Sequence, residues 1–192
     1  MLEDGSVYEG TARGDFKETA CEIVFNTSMT GYVEILTDPS YAGQGVVMTY
    51  PMIGNYGISR EDFESERLQP SAFIVHELSS DPSNFRCTDT IENLLKEYNI
   101  PCVSGVDTRA VVKKLRESGT MRGVLTSDIG DRERLMDVIK SFRQIDLVGS
   151  VTAKQTKVYG EENTGAEIAL MDFGTKRNII NNLVKRNCIV TV

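Results

Sequence analysis

The sequence predicts an α/β protein that is rich in β-strands in its first half. Short runs of β-prone residues, separated by turn residues, occupy the first part of the chain. Further along, apolar residues at helical spacing alternate with short apolar runs that are typical of buried strands. The chain has 192 residues, of which 40% are hydrophobic and 26% charged, so it is large enough to bury a core.

Four β-prone runs are predicted as strands in the first half. They cover residues 6–12, 21–26, 44–50 and 72–76. The segments between them, such as 38–41 (DPSY) and 51–57 (PMIGNYG), contain the Pro, Gly, Asn and Asp residues that form tight turns. The first half is therefore expected to be strands joined by turns.

Helices and strands alternate in the second half. The predicted helices lie near residues 91–98, 108–118 and 135–142. We expect Asp89 to form a capping box with Glu92 on the first helix, because their spacing fits that motif. Asp107 is expected to cap the second helix, with Gly119 following its end. The strands between these helices are predicted at residues 102–106 and 121–126.

Domain boundaries are predicted from the polar segment 152–166, which contains Gly160 and Gly165 and shows no period. It would act as a linker after a first domain of residues 1–151. Residues 167–192 predict a strand, a helix and a second strand, which is the β-α-β unit that opens a parallel α/β domain. One such unit cannot cover its own sheet, so we expect this second domain to be truncated and its apolar residues to lack full cover.

Charge and composition disfavour several classes of protein. The net charge of −7 argues against a surface for nucleic acid or an anionic membrane, which needs clustered Lys and Arg. We see no apolar stretch of membrane-spanning length and no signal-peptide pattern. Four cysteines without a C-x-x-C pair predict a reduced, cytoplasmic setting. With a single histidine as well, the sequence predicts no metal site.

Several motifs, in one order along the chain, resemble a known family. They are EIVFNTSMTGYVEILTDPSY (22–41), TYPMIGNYG (49–57), SNFR (83–86), GVDTRA (105–110), LRESGTMRG (115–123) and MDFGTKRNI (171–179). On these motifs the chain resembles the small, glutamine-using subunit of carbamoyl-phosphate synthetase. The resemblance covers nearly the whole chain, and the last motif resembles the opening of the family's glutaminase domain.

This resemblance implies both a fold and an activity. The fold would be a swivelling β/β/α N-terminal domain, followed by the start of a flavodoxin-like class I glutamine amidotransferase domain. The complete subunit would hydrolyse L-glutamine and pass ammonia to a large subunit, its partner. That subunit would make carbamoyl phosphate from bicarbonate and ATP, for arginine and pyrimidine biosynthesis. ATP and Mg²⁺ would be used there, so we expect no cofactor in this chain.

The family's catalytic residues are not found in this sequence. Class I amidotransferases use a Cys on a strand-to-helix turn, together with a His and a Glu that come later in the chain. No G-x-C-x-G elbow is present, and the only histidine, His76, lies in the N-terminal part. A thiolate nucleophile needs a nearby base. We therefore expect this chain alone to be inactive, while it binds the large subunit and completes the glutamine pocket.

Two turns carry candidate site residues. The DPSY segment is a turn on physical grounds, because Pro39 presets the backbone and Asp38 can accept bonds from backbone N–H groups. By resemblance, Ser40 contacts the bound glutamine and Asp38 shapes the domain junction or the ammonia path. The segment 26–32 (NTSMTGY) is either a solvated loop or, by resemblance, part of the ammonia path through Ser28 and Met29.

Lys176 is a further candidate. It and Arg177 open a predicted helix, where the helix macrodipole disfavours positive charge. Two solvated side chains could tolerate this, but an acidic partner is the better interpretation. By resemblance Lys176 faces the domain junction, with Asp38 as its partner. His76 is predicted to be a structural residue at a strand end.

Two other kinds of function fit the sequence less well. The first is a free-standing protein-interaction domain without an amidotransferase role, which would have no use for the strand-helix start at residues 167–192. The second is a nucleotide-binding domain, which the sequence disfavours because it contains neither G-x-G-x-x-G nor a P-loop motif.

Overall fold

A six-stranded mixed sheet forms the centre of the structure, a computed structural model that describes residues 1–14, 16–143 and 146–192. Numbered along the chain, the first eight strands are β1 (Thr11–Arg13), β2 (Thr19–Asn26), β3 (Gln44–Met48), β4 (Met52–Ile53), β5 (Ala72–Ile74), β6 (Glu77–Leu78), β7 (Cys102–Ser104) and β8 (Met121–Leu125). The central sheet has the order β1-β7-β5-β3-β2-β8, and β4 pairs with β6 separately. Its four inner strands are parallel, and the two outer strands are antiparallel to their neighbours.

Six helices accompany these strands in the described ranges. They are α1 (Tyr32–Thr37), α2 (Ile91–Glu97), α3 (Thr108–Ser118), α4 (Arg132–Ser141), α5 (Leu147–Val151) and α6 (Arg177–Val184). Helices α1 and α2 pack on one face of the central sheet and α3 packs on the other. Helix α4 packs beside β8. None of these helices combines the length and the apolarity that a membrane crossing requires.

Alternation along the parallel strands builds a core on each face of the sheet. In β3, Val46 points into the core shared with α1 and α2, whereas Val47 points into the core shared with α3. Phe73 and Ile74 divide in the same way in β5. Strands buried on both faces are expected to be continuously apolar, as these are. The predicted α/β class is confirmed.

The C-terminal part forms a second, small sheet. Its strands are β9 (Val158–Tyr159), β10 (Glu167–Ala169) and β11 (Ile189–Thr191), in the order β10-β11-β9. Strands β10 and β11 are parallel and α6 joins them, which confirms the predicted β-α-β unit. Strand β9 pairs antiparallel with β11 and lies inside the segment 152–166, which was predicted to be a linker. The boundaries of the two domains stay predictions.

Apolar cover of this second sheet is partial, as expected from the sequence. Val190 is fully buried, and Ile180 of α6 is buried too. Ile179 is 47% exposed, and Ile168, Leu170 and Leu183 are only partly buried.

Two local predictions were wrong and one helix was missed. Helix α2 is capped by Thr90, whose hydroxyl accepts the N–H of Asn93 at 3.2 Å, so the predicted capping box of Asp89 with Glu92 does not form. Asp89 lies one residue before this cap, and its carboxylate instead accepts the N–H of Thr90 at 2.7 Å. The first predicted strand, residues 6–12, begins only at Thr11. Residues 32–37 were not predicted as a helix, yet they form α1.

Burial and an external hydroxyl explain α1, which has only six residues. Five of them, including Tyr32 and Leu36, are buried, so packing outweighs weak helix propensity. The hydroxyl of Tyr56 accepts the N–H groups of Gly31 at 2.6 Å and of Tyr32 at 3.2 Å, which satisfies the helix start. The predicted Asp107 cap of α3 is confirmed, because its carboxylate accepts the Ala110 N–H at 2.9 Å.

Candidate functional site

The 38–41 turn follows directly from the last residue of α1. Asp38 Oδ1 accepts the N–H of Ser40 at 2.9 Å, and the Asp38 carbonyl accepts the N–H of Tyr41 at 3.0 Å. Pro39 occupies the first position of the resulting 3₁₀ turn, where its fixed φ is favourable. The turn buries Asp38 and Pro39 and leaves Ser40 exposed. A hydroxyl held on such a turn is available to a ligand.

Asp38 also forms an ion pair with Lys176. Its Oδ2 lies 2.7 Å from Lys176 Nζ, and the two side chains are 9% and 44% exposed. The hydrogen bond from Lys176 to Asp38 raises the pKa of Lys176 above its usual value, despite partial burial, with help from the negative charges of Asp38 and Glu64. The predicted contact between these residues is confirmed. It joins α1 to the start of α6 across the predicted domain boundary.

Glu64 is the acid that occupies the start of α6. Its carboxylate accepts the N–H of Asn178 at 3.0 Å, and its carbonyl accepts the N–H of Arg177 at 2.8 Å. Its own N–H donates to Thr37 Oγ1 at 2.8 Å. Glu64 therefore stabilises the N-terminus of α6 with negative charge and connects it to the end of α1. Sequence reasoning missed Glu64 and Thr37, although the lack of acids in the first turn of α6 was a signal.

The loop before α6 is organised by Asp172. Its carboxylate accepts the N–H groups of Gly174 at 2.9 Å, Thr175 at 2.7 Å and Ala153 at 2.6 Å. Burial alone would raise the pKa of Asp172, but these N–H donors outweigh burial and lower it. The loop therefore carries a stable negative charge that fastens residue 153 to residues 174–175.

A cleft of about 490 Å³ lies beside this junction. Its wall includes Pro39, Glu64, Asp172, Thr175 and Arg177. Pro39 of this wall directly precedes the exposed Ser40 in the chain, and the cleft carries both acidic and basic groups. Such mixed charge suits a zwitterionic ligand with one carboxylate and one ammonium group.

The predicted site residues fall in two places. Asp38, Ser40 and Lys176 come together at the end of α1. Ser28 and Met29 lie in the loop before α1, at its other end, where the Ser28 N–H donates to Asn26 Oδ1 at 2.7 Å and both residues are exposed. The proposed roles of all five residues in substrate binding or ammonia passage stay predictions.

No cysteine or histidine of the described residues lines this cleft. Burial raises the pKa of Cys21 and of Cys102 to about 12, so neither forms a thiolate near neutral pH. His76 is exposed after β5, with Nδ1 3.1 Å from the Val106 carbonyl, a distance at which Nδ1–H donates. Within the part of the chain that the structure describes, no three or more His, Cys, Asp or Glu side chains are grouped as metal ligands.

We expect the Asp38–Lys176 pair to stabilise the docking of α6. Asp38→Asn, Lys176→Met and the double variant should show a coupling of about 1–2 kcal/mol, between the values for exposed and buried pairs, because only Asp38 is buried. Hydrogen exchange of the α6 amides measures it. The exposed Lys157–Glu66 pair, at 3.4 Å, is the matched control and should show almost no coupling. Equal couplings in the two cycles would contradict this assignment.

The coupling should also depend on pH, in a direction set by Lys176. The pKa of Lys176 is raised in the folded protein. The ion pair's contribution to stability is therefore complete below about pH 10.4, the usual lysine pKa. It should be lost as pH rises through the higher folded value. A coupling that weakens between pH 7 and pH 9 would count against this explanation.

Comparison with known proteins gives a consistent result. Residues 1–125 match the family model described as "Carbamoyl-phosphate synthase small chain, CPSase domain". Relatives named "Carbamoyl phosphate synthase small chain" include those of Clostridium perfringens, 48% identical over 193 residues, and Listeria monocytogenes, 44% identical over 193 residues. A third, from Archaeoglobus fulgidus, is 46% identical over 196 residues. All of this chain is matched, and it spans about half the length of these relatives, 54%, 53% and 54% respectively.

Proposed function

The chain belongs to the carbamoyl-phosphate synthase small-chain family, and we propose on this premise that it forms the N-terminal part of a glutamine-hydrolysing subunit. The complete subunit would supply ammonia from glutamine to a large chain. The large chain would then make carbamoyl phosphate from bicarbonate and ATP, with Mg²⁺ bound there and not here. The observation that carries this proposal is the match over the whole chain to relatives that bear the same name.

In this proposal the 38–41 turn completes the glutamine pocket. Ser40 would present its hydroxyl to the bound amino acid, since a hydroxyl can accept from an ammonium group or donate to a carboxylate. Asp38 and Lys176 would keep this turn in place against α6 through their 2.7 Å contact. A pocket built at a junction between two units needs such a contact, because small displacements strongly reduce catalysis.

Residues 27–31 are proposed to border the path of ammonia to the large chain, through Ser28 and Met29. The loop is fastened at its end by the Gly31 N–H, which donates to the Tyr56 hydroxyl at 2.6 Å. A passage for a small neutral molecule needs a fixed wall that limits exchange with bulk water. The exposed position of both side chains leaves them free to contact another chain.

This 192-residue chain alone should release no ammonia from glutamine above background. Hydrolysis by this class of enzyme needs a thiolate and a nearby base. Burial holds Cys21 and Cys102 as neutral thiols. In the described residues the half-buried thiols of Cys87 and Cys188 contact the backbone carbonyls of Asp89 and Arg186, which are not bases. Glutamate production measured by a coupled assay checks this, with the full-length small chain as the positive control. Sustained turnover by the 192 residues would contradict it.

Reconstitution tests the proposed function directly. The full-length small chain is mixed with its large chain, and carbamoyl phosphate is measured with either glutamine or ammonia as the nitrogen source. We expect the large chain alone to use only ammonia, and the pair to use both. Glutamine-driven synthesis without the small chain, or none with it, would overturn the proposal.

A further inference from the structure

The most exposed large apolar side chain in the described part of the structure is that of Phe85, in the loop between β6 and α2. Its ring is 97% exposed. The backbone on both sides of it is fastened: Ser83 N–H donates to Asn55 O at 2.9 Å, and Cys87 N–H donates to Asn84 O at 3.0 Å. Just beyond, Thr88 N–H donates to Ile58 O at 2.8 Å. These bonds fix the backbone of the loop on both sides of the exposed ring.

The residue that follows Phe85 ties this loop to acidic neighbours. Arg86 lies 2.6 Å from Asp62 Oδ1 and 3.3 Å from Glu61 Oε2, and it also donates to Ser59 Oγ at 3.2 Å. The Glu61 side chain is nevertheless 84% exposed. One guanidinium thus faces two carboxylates, which leaves a net negative charge next to the Phe85 ring.

A second exposed apolar side chain, that of Met29, lies on another loop. This loop is hydrogen-bonded to residues 54–58, the segment that also accepts hydrogen bonds from the Phe85 loop. Met29 is 68% exposed, and its loop is held by the Tyr56 hydroxyl through Gly31. Gly57, which follows Tyr56, lies close to the Phe85 loop. A Cβ added to Gly57 would lie only 3.0 Å from Cys87 Cβ. Both loops are therefore hydrogen-bonded to residues 54–58.

The electrostatic surroundings of Glu34 include some of the same charged groups. Burial raises the pKa of Glu34, in the first turn of α1 just after the Met29 loop, and the negative charges of Asp62 and Glu64 raise it further. The positive charge of Arg86 acts on it in the opposite direction. A cleft of about 470 Å³ beside Phe85, bordered by residues 59–61 and 85–89, leaves room for a side chain of another protein.

Single exposed apolar residues are common on protein surfaces and carry little meaning. Here, however, an exposed aromatic ring lies on a fastened loop, next to a cleft and an unbalanced acidic group. Aromatic side chains of this kind dominate the energetics of protein interfaces, and surrounding charges mainly set the rate of association. The arrangement matches an interface anchor with a polar rim.

We propose that Phe85 is the apolar anchor through which this small chain binds its large chain. The ring enters an apolar pocket of the large chain, and Lys or Arg side chains on the rim of that pocket face Glu61. This inference rests on the proposed function, since it takes the partner to be the large chain that the family name implies.

The test measures the dissociation constant between the full-length small chain and its large chain. Phe85→Ala should raise this constant at least thirtyfold, the effect of losing an interface hot spot of about 2 kcal/mol. Glu61→Gln should slow association several-fold at low salt, with the difference shrinking at high salt. Arg109→Ala is the control. Arg109 is an exposed residue of α3, which packs on the opposite face of the sheet, and its replacement should change the dissociation constant by no more than about twofold.

The outcomes separate this inference from the proposed function. The melting temperature of full-length Phe85→Ala should equal that of the wild type, because the large chain is proposed to cover the ring that is 97% exposed here. A lower melting temperature would mean that the rest of the small chain covers the ring, and it would overturn the inference. If the wild-type chains bind and Phe85→Ala binds equally well, the anchor is wrong and the proposed function stands. If the wild-type chains do not bind at all, both fail. If sedimentation shows that Phe85→Ala abolishes only self-association of the small chain, the occupant is a second copy and the inference is overturned.

Discussion

In the full-length small chain, replacing Ser40 with alanine is expected to raise the KM for glutamine by about ten- to a hundredfold. The reason is the loss of one hydrogen bond to a charged group of the ligand, which contributes about 1.5–3 kcal/mol. Folding should not change, because the turn is held by the Ser40 N–H and the Asp38 carboxylate, which the substitution keeps. Steady-state kinetics with the reconstituted pair measure the effect.

Ammonia-driven synthesis provides the internal control for Ser40→Ala. It should be unchanged, because the hydroxyl is proposed to touch glutamine and not the large chain's substrates. Ser141→Ala is a matched substitution on α4, where the hydroxyl only donates to the Val138 carbonyl of its own helix, and it should change neither activity. Equal loss of both activities in Ser40→Ala would indicate a damaged interface, and no loss of either would remove Ser40 from the site.

Replacing Gly174 with alanine is expected to undock α6 from the 38–41 turn. Gly174 has φ of 101°, a conformation that other residues rarely adopt, and an added Cβ would lie 2.9 Å from Val151 Cγ2 and 3.0 Å from Pro39 Cβ. Backbone strain and the collision with Pro39 should together cost about 2–5 kcal/mol of local stability. Faster hydrogen exchange at the Thr175 amide and along α6 would report this opening.

Gly119→Ala separates strain from collision. Gly119 also has a positive φ, 83°, but nothing lies within 4 Å of the position that its Cβ would take. With ψ of −168°, Gly119 lies in a region that is almost restricted to glycine, so the strain alone should cost about 1–3 kcal/mol and leave exchange along α6 unchanged. In the full-length chain, Gly174→Ala should also lower glutamine-driven synthesis. Wild-type exchange at Thr175 in Gly174→Ala would contradict the close contact between this loop and Pro39.

Much of the fold could be predicted because its signals are local. The period of the apolar residues places α3 and α4, and the cap Asp107 lies next to the helix that it serves. Helix α1 could not be predicted in this way, because what stabilises it comes from elsewhere. The hydroxyl that satisfies its start belongs to Tyr56, 25 residues beyond Gly31.

In the candidate site, too, the residues with a local signal could be predicted and those that depend on distant residues could not. The unfavourable position of Lys176 at a helix start predicted an acidic partner, and Asp38 is that partner. Glu64 could not be identified from the sequence, because it lies 114 residues from the Asn178 N–H that it accepts and belongs to no periodic pattern. Thr37 was missed for a related reason: its hydroxyl serves Glu64, so its importance depends on a residue that was itself unrecognised.

We propose that this chain belongs to the subunit that delivers glutamine nitrogen to the large chain, and tracing that nitrogen into the product examines the delivery. The reconstituted pair is given glutamine labelled with ¹⁵N at the amide, together with unlabelled ammonium, and the carbamoyl phosphate is analysed by mass spectrometry. We expect the product to carry more label than the free ammonium in the solution, because the ammonia passes between the chains without mixing. Product with the same labelling as the free ammonium would contradict the account.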